Sequence, residues 1–280
     1  MKMKHYFSQS FTLLCVVVFL FSGTQLFRTM YDYRHNANVL AAAQEVREEA
    51  DERYAEADTL YLRERQKVRE QKNELASSEV VRGTLQAEDN DAIRPQFQSL
   101  HQLNPEMIGW IRIDGTPIDY PILQAVDNDY YLYRNYKAQK SKAGSIFMDF
   151  RNDVSADDRN TVLYGHRLKD GSMFQSLTNF LDEDFFHTHR TIEFDTMYDR
   201  FDAEIFAVYY TTIDFDYIQT DFTTDEEYRA LLEEIQEKSF FESNVEVTEE
   251  DRILTLSTCD YTLDPNEGRL VVHAKLIEAH

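Results

Sequence analysis

The sequence predicts a mainly β protein, a closed eight-stranded β-barrel that follows a transmembrane helix and a helical stalk. Three observations support this. An uncharged segment near the N-terminus is followed by a long stretch without Pro or Gly that has helical spacing, and then by about eight short β-type runs. Aromatic residues are frequent, with 17 Tyr and 19 Phe, and these side chains pack well on a half-buried pleated sheet. A closed barrel is favoured because closure leaves no unpaired strand edges.

The first segment, residues 1–35, is predicted to be a cytoplasmic tip and a transmembrane signal-anchor. Residues 6–27 carry no formal charge, and as a helix they span about 33 Å against a hydrocarbon core of about 30 Å. Lys2 and Lys4 precede this stretch and charges of both signs follow it, which favours a cytoplasmic N-terminus. A cleaved signal peptide is the alternative. An uncleaved anchor is favoured because no clean cleavage site follows the apolar core.

The second segment, residues 36–91, is predicted to be a helical stalk. Small and apolar residues such as Val39, Ala43, Val46 and Ala50 recur at a spacing of three or four, which places them on one helix face. The face is rich in Ala and Tyr and not in Leu or Ile, so a solvated stalk that holds the body off the membrane is favoured over a coiled coil. A polar break is expected at 87–91.

The third segment, residues 92–280, is predicted to be the barrel domain. A short helix at 97–103 opens it. The stretch Thr224-Asp-Glu-Glu227 is a capping-box signature, and the apolar residues after it supply one face of a helix inserted between strands six and seven. Two strands are predicted within 108–123 and six more at 144–149, 160–164, 191–194, 203–212, 253–258 and 269–277.

Charge and cysteine content narrow the classes of function. With 51 acidic and 29 basic residues the net charge is -22, which repels nucleic-acid phosphates, so no nucleic acid is expected as a partner. Of the two cysteines, Cys15 lies in the predicted anchor and Cys259 in the barrel domain. No disulfide can join them across the membrane boundary, so Cys259 is either buried and inert or retained for its reactivity.

Three residues with complementary chemistry fall at predicted strand ends. Cys259 follows the strand at 253–258, Arg269 begins the next strand, and His166 follows the strand at 160–164. Cys259 and Arg269 meet at one rim of the barrel if their strands are neighbours. A cation increases the thiolate fraction of a nearby cysteine, a histidine can act as general acid, and an arginine can stabilise an oxyanion. Together they indicate acyl transfer through a thioester, whereas each residue taken singly also fits a structural role.

The same residues carry a resemblance. The stretches Thr255-Leu-Ser-Thr-Cys259 and Gly268-Arg-Leu-Val-Val-His-Ala-Lys275 resemble the sortase signature, and the segment 160–174 resembles the histidine segment of class B sortases. The resemblance implies a membrane-anchored cysteine transpeptidase that cleaves a C-terminal sorting motif, NPxTN-like or related, of an exported protein. It also implies that Cys259 is the nucleophile that forms the thioester, that His166 is the general acid/base, and that Arg269 stabilises the oxyanion and positions the substrate.

The resemblance also implies partners and location. The acyl group passes to an amine of a peptidoglycan precursor, and the protein is a single-pass membrane protein with an extracellular catalytic domain. Class B is favoured because the predicted helix between strands six and seven resembles the insertion of that class. Three alternatives remain: a pilin-polymerising sortase that uses a pilin lysine, a surface thiol protease that uses water, and a non-catalytic barrel that binds cell-wall proteins.

Further residues lie near the candidate site in the sequence. Thr258 and Tyr164 are candidates for substrate binding. Asp260 either orients His166 or Arg269 or is an exposed loop carboxylate, and the exposed position is favoured. His187-Thr-His189 has a spacing compatible with metal binding, but a solvated turn is favoured because no further ligands follow. No metal and no cofactor are predicted.

Overall fold

The structure is a closed eight-stranded barrel, as the sequence predicts. It is a computed structural model that describes residues 2–77, 92–155, 157–260 and 262–279. The polar break predicted at 87–91 and Tyr261 therefore lie outside the described residues. Around the barrel the strands follow the order β1-β2-β3-β4-β7-β8-β6-β5, and β5 pairs with β1 to close it. The strands are β1 (Met107–Ile113), β2 (Asp119–Leu123), β3 (Ile146–Met148), β4 (Asn160–Tyr164), β5 (Thr191–Thr196), β6 (Arg200–Thr211), β7 (Ile253–Cys259) and β8 (Arg269–Glu278).

Four α-helices accompany the barrel. The helix α4 lies between the sixth and seventh strands, and its start is capped by the Thr224 hydroxyl, which accepts a hydrogen bond from the Glu227 amide at 3.2 Å. The capping box that the sequence predicts is therefore present. The helices are α1 (Lys2–Ser77), α2 (Gln98–Leu103), α3 (Glu183–Thr188) and α4 (Asp225–Lys238), with 3-10 helices at Pro95–Phe97, Tyr131–Tyr133 and Phe174–Leu181.

The strands separate two hydrophobic cores because successive side chains of a strand point to opposite faces. On β7, Leu254 and Leu256 belong to the main core inside the barrel, whereas Ile253 belongs to a smaller core outside it. The smaller core lies between the sheet and α4 and includes Tyr217 and Tyr228. The outer face of β7 and β8 is therefore covered by the connection between β6 and β7, which places that connection next to the strand ends.

The helix α1 packs on the barrel, and this differs from the solvated stalk that the sequence favours. Val39, Ala43 and Ala50 are buried. The Arg47 guanidinium lies 4.7 Å from the Phe97 ring centre, and its Nη2 donates to Asp195 at 2.5 Å. The small residues read from the sequence as one face of a stalk are the contact face with the barrel, because short side chains let the helix approach closely.

Candidate functional site

The strand pairing brings the three predicted residues to one rim. Cys259 is the last residue of β7 and pairs directly with Arg269, the first residue of the antiparallel β8, which places their Cα atoms about 5 Å apart. On the other side of β7, Ser257 pairs with Tyr164 of the parallel β4, and the Gly165 amide donates to the Ser257 carbonyl at 3.2 Å. Cys259 ends β7 and His166 lies two residues past the end of the parallel β4, so both lie at the same end of the two strands.

His166 is held by the connection between β2 and β3. Its Nε2 lies 2.7 Å from the Leu132 carbonyl oxygen. A carbonyl oxygen can only accept a hydrogen bond, so Nε2 carries a proton, and Nδ1 is the ring nitrogen that takes no part in this bond. Gly144 lies against the ring, because a Cβ atom at this position would be 3.1 Å from Cδ2 of His166. The imidazole is therefore fixed in both tautomer and position by backbone far from it in sequence.

Asp260 couples the cysteine strand to the histidine loop. Its side chain is 1% exposed and accepts a hydrogen bond from Nη1 of Arg167, the residue after His166. Its other oxygen accepts from the Thr262 amide at 2.8 Å. The exposed position favoured from the sequence is therefore wrong. Asp260 is a buried ion-pair partner whose bond to Arg167 ties the segment after Cys259 to the loop that carries His166.

Tyr217 is a site residue that the sequence does not reveal. It lies in the connection between β6 and α4, and its hydroxyl is 2.9 Å from Oγ of Ser257. Burial raises its pKa, while the Ser257 hydrogen bond and the Arg269 charge act in the opposite direction and the Cys259 thiol adds to the rise. Tyr217 therefore lies close to both members of the Cys259–Arg269 pair. It stands in an irregular segment without periodicity, so no sequence signal marks it.

A buried chain of hydrogen bonds anchors the Tyr217 connection to the barrel. The chain runs from the Tyr209 hydroxyl to Nε2 of His273 at 2.8 Å, from Nδ1 of His273 to Thr255 at 2.9 Å, and from Thr255 to Oδ1 of Asn160 at 2.6 Å. The Asn160 amide then donates to the Tyr217 carbonyl at 3.0 Å. Full burial lowers the pKa of His273 to about 3, so the imidazole is neutral, with one donor and one acceptor, as the chain requires.

Of the two predicted substrate-binding residues, Tyr164 reaches the site face and Thr258 does not. Tyr164 is half-buried beside Ser257, and its hydroxyl donates to Asp149 at 2.8 Å. Burial and the Asp149 carboxylate raise the pKa of Tyr164. Thr258 is 2% exposed and alternates with Ser257 and Cys259, so its side chain lies on the barrel-interior face. Its hydroxyl has no hydrogen-bond partner among the described residues.

His187 lies in the last turn of α3, and His189 directly follows the helix. The His189 ring stacks on Phe185 with ring centres 4.0 Å apart, and Nε2 of His187 is 4.0 Å from a Glu183 oxygen. Among the described residues, no three His, Cys, Asp or Glu side chains converge in a way that could hold a metal ion.

A free cysteine and an arginine that are strand partners at the rim of a closed β-barrel, with a histidine at the end of the neighbouring strand, are typical of a cysteine-dependent acyl-transfer enzyme. Residues 111–277 match the Sortase domain family. The chain is 39% identical over 277 residues to Sortase B of Listeria monocytogenes, with 99% of each covered. It is 40% identical over 212 residues to Sortase B of Staphylococcus aureus, with 75% of this chain and 87% of that protein covered.

A solved structure supports the same assignment. The crystal structure of sortase B from B. anthracis in complex with AAEK1 is similar with a TM-score of 0.69 at 46% identity, and the match covers 89% of this chain and 100% of that chain. The chain belongs to the sortase family, and within it to class B. It is therefore a cysteine transpeptidase of the kind that anchors proteins to the cell wall.

Proposed function

We propose that the protein cleaves a C-terminal sorting motif of the Asn-Pro-x-Thr-Asn type on exported proteins and transfers the new C-terminus to an amine of a peptidoglycan precursor. In this proposal Cys259 is the nucleophile, His166 the general acid/base, and Arg269 the group that stabilises the oxyanion and positions the substrate. The observation that carries it is the direct pairing of Cys259 with Arg269, with His166 just past the end of the neighbouring strand β4.

The first half-reaction forms the thioester. Nδ1 of His166 takes the proton of the Cys259 thiol. The resulting thiolate attacks the carbonyl carbon of the scissile bond, and the negative charge moves to the carbonyl oxygen. The Arg269 guanidinium is already restrained, since its Nη1 donates to the Gly268 carbonyl at 2.9 Å, and its remaining N–H groups can face that oxygen. The tetrahedral intermediate collapses, the C–N bond breaks, and His166 gives a proton to the leaving amine.

The second half-reaction transfers the acyl group. The acceptor amine attacks the thioester carbonyl and passes a proton to His166, the C–S bond breaks, and an amide bond replaces it. Because Nε2 of His166 is bonded to the Leu132 carbonyl, Nδ1 is the atom that exchanges the proton in both halves. Tyr217 and Tyr164 flank the Ser257 position and are proposed to line the groove for the sorting motif.

The N-terminal part of α1 is proposed to be the membrane anchor. By length and composition this helix can cross a membrane, with a mean hydropathy of 1.7 in its apolar stretch, none of which is buried. Phe19 and Phe27 are 78% and 71% exposed. Residues 1–35 then form the cytoplasmic tip and anchor, and residues 92–280 form an extracellular catalytic domain.

Peptide ligation tests this function. The full-length protein in detergent is given an Asn-Pro-x-Thr-Asn peptide with and without an amine acceptor, and the products are identified by mass spectrometry. Amine-dependent ligation supports the proposal, whereas hydrolysis that no amine diverts indicates a thiol protease. Ligation only to a pilin lysine peptide indicates a pilin-polymerising enzyme.

Two variants test the assigned roles. Cys259→Ala is expected to abolish both cleavage and ligation, and full activity in this variant would refute an enzymatic role for the site. Arg269→Lys is expected to be severely impaired, because an ammonium cannot reproduce the planar fork of a guanidinium. Arg53→Lys, an exposed position on α1, is the matched control and is expected to keep normal turnover.

A further inference from the structure

The connection between β2 and β3 carries a cluster of positive charge in an otherwise acidic protein. Between Asp129 and Asp149 the sequence has four basic residues and no acidic one. The four are Arg134, Lys137, Lys140 and Lys142, and residues 134–142 are called the basic hairpin below. The three lysines are exposed, and none forms a salt bridge within the part of the chain that the structure describes. Their charge is therefore available to an external partner.

The basic hairpin is an ordered structure. Arg134 and Lys140 form an antiparallel bridge, and the buried Asn135 side chain accepts hydrogen bonds from the amides of Lys137 at 3.0 Å and Gln139 at 3.1 Å. The Arg134 guanidinium stacks on the Tyr130 ring at 4.2 Å. Because the backbone is held in place, binding a partner does not require the loop to fold first.

The basic hairpin lies against α1 just beyond the proposed anchor. The Lys142 amide donates to Asp32 at 3.0 Å, the Gln139 side chain is 3.3 Å from His35, and Ser141 is 3.4 Å from Asn36. Asp32 is five residues after Phe27, the last uncharged residue of the apolar stretch. At about 1.5 Å per residue these contacts begin roughly 8 Å beyond the hydrocarbon, which is the depth of the lipid headgroups.

The charges around this contact favour an anionic surface. Arg28 and Arg34 are exposed on α1 in the same zone. Two acids lie in the same zone: Asp32, which accepts from the Lys142 amide, and Asp170, which lines a cavity beside α1. Both keep their negative charge, and the five exposed basic residues, which are the two arginines and the three lysines, outnumber them.

We propose that the basic hairpin binds anionic phospholipid headgroups and holds the barrel in a fixed orientation on the membrane surface. This rests on the proposed anchor at residues 6–27. The same connection contains Leu132, whose carbonyl accepts a hydrogen bond from Nε2 of His166, so docking of the hairpin places the catalytic rim near the membrane surface. Each lysine in the surface potential of an anionic leaflet raises the docked population about fivefold, and three raise it about 100-fold.

A quenching experiment on the full-length protein tests this proposal. A fluorophore is attached at Ala138→Cys, in a Cys15→Ser and Cys259→Ala background, and the protein is placed in phosphatidylcholine vesicles with or without phosphatidylglycerol. A quencher on the lipid headgroup is expected to quench the label strongly only with phosphatidylglycerol and at low salt. Replacing Lys137, Lys140 and Lys142 by Gln is expected to abolish that difference.

Two controls define the outcome. The variant Arg53→Gln, Arg63→Gln, Lys67→Gln makes the same charge change on exposed residues of α1 farther from the anchor and is expected to quench like the parent. A label at Ser155→Cys, beside Asp157, reports the far end of the barrel. Asp157 lies 3.9 Å from Arg69, and Arg69 is about 55 Å along α1 from Asp32. That label is expected to stay unquenched.

The proposal is overturned if quenching at residue 138 is equal in both lipids and in the lysine variant. The helix alone would then set the distance between the label and the membrane surface. The proposal is also overturned if the protein does not float with the vesicles, because residues 6–27 would then not anchor it in the membrane. Ligation by unlabelled protein with intact Cys259 is measured in detergent in parallel. Normal ligation combined with either failure refutes the membrane docking and leaves the transpeptidase function standing.

Discussion

A buried arginine joins α1 to the barrel alongside the Arg47–Asp195 ion pair. The Arg94 side chain is 0% exposed, and its Nε and Nη2 donate to the two carboxylate oxygens of Asp58 on α1 at 3.1 Å and 2.7 Å. Its Nη1 donates to Asp195 of β5 at 2.8 Å. Burial would raise the pKa of Asp195, but the charges of Arg94 and Arg47 outweigh it and hold the pKa below its usual value. Asp195 is therefore ionised, and both carboxylates are bound to Arg94.

The substitution Asp58→Ala removes two of these three bonds. Two guanidinium donors of Arg94 then lose their partner in a site that water does not reach. Leaving one member of a buried ion pair without its partner costs about 3–5 kcal/mol. In a protein of this size each kcal/mol lowers Tm by about 2–4 °C, so a decrease of about 10 °C is expected.

Fluorescence of Trp110, the single tryptophan, measures this change in detergent. The Arg47 guanidinium of α1 lies 5.8 Å from its ring, so the signal reports the helix contact as well as unfolding. Glu56→Ala, an exposed position on the same helix, is the control and is expected to change stability by less than about 0.5 kcal/mol. Equal Tm values for the two variants would refute the role given to the Arg94 network.

Three further predictions concern the site. A Cβ at Gly268 would collide with the Asp260 carbonyl, so Gly268→Ala is expected to open the turn that joins β7 and β8. Peptide kcat/KM is expected to fall at least about tenfold, and an unchanged kcat/KM would contradict this. Tyr217→Phe removes the hydrogen bond to Ser257, which is worth about 1 kcal/mol, and is expected to lower kcat/KM about fivefold. An unchanged kcat/KM in the peptide assay would show that this hydrogen bond does not contribute to the reaction. Burial lowers the pKa of His273 to about 3, below its unfolded value of about 6.5. The stability from this group is therefore present above pH 6.5 and lost as the pH falls toward 3. Between pH 6 and 5 the free energy of unfolding is expected to fall about 1.2 kcal/mol more in the parent than in His273→Gln. Parallel urea-unfolding profiles of the two proteins would contradict this.

The sequence predicted the elements of the barrel better than their relations to one another. All eight strands were predictable, because β-branched and aromatic runs bounded by turn residues are local signals. The helix α4 was predictable from its capping box. The exposed position expected for Asp260 was wrong, because its partner Arg167 is 93 residues away and a carboxylate after a strand carries no mark of a distant cation.

Two other features also depend on contacts between distant segments. Tyr217 is brought to the site by hydrogen bonds of Asn160, 57 residues earlier. The stripe of small residues on α1 was visible in the sequence, but a stripe does not say which surface covers it. The answer depended on the barrel and on Arg94, which bonds Asp58 and Asp195 at once.

The sequence by itself determined the order of strands and helices, the single thiol of the barrel domain, and the positions of Cys259, His166 and Arg269 at strand ends. These features could be read because periodicity, capping and residue type are properties of short segments. The tertiary structure decided which strands are neighbours, and therefore that Cys259 faces Arg269 with Tyr217 beside them and that α1 packs on the barrel. Side chains far apart in the chain meet only after the barrel closes, and the energies of buried ion pairs and hydrogen bonds exist only once both partners are buried together.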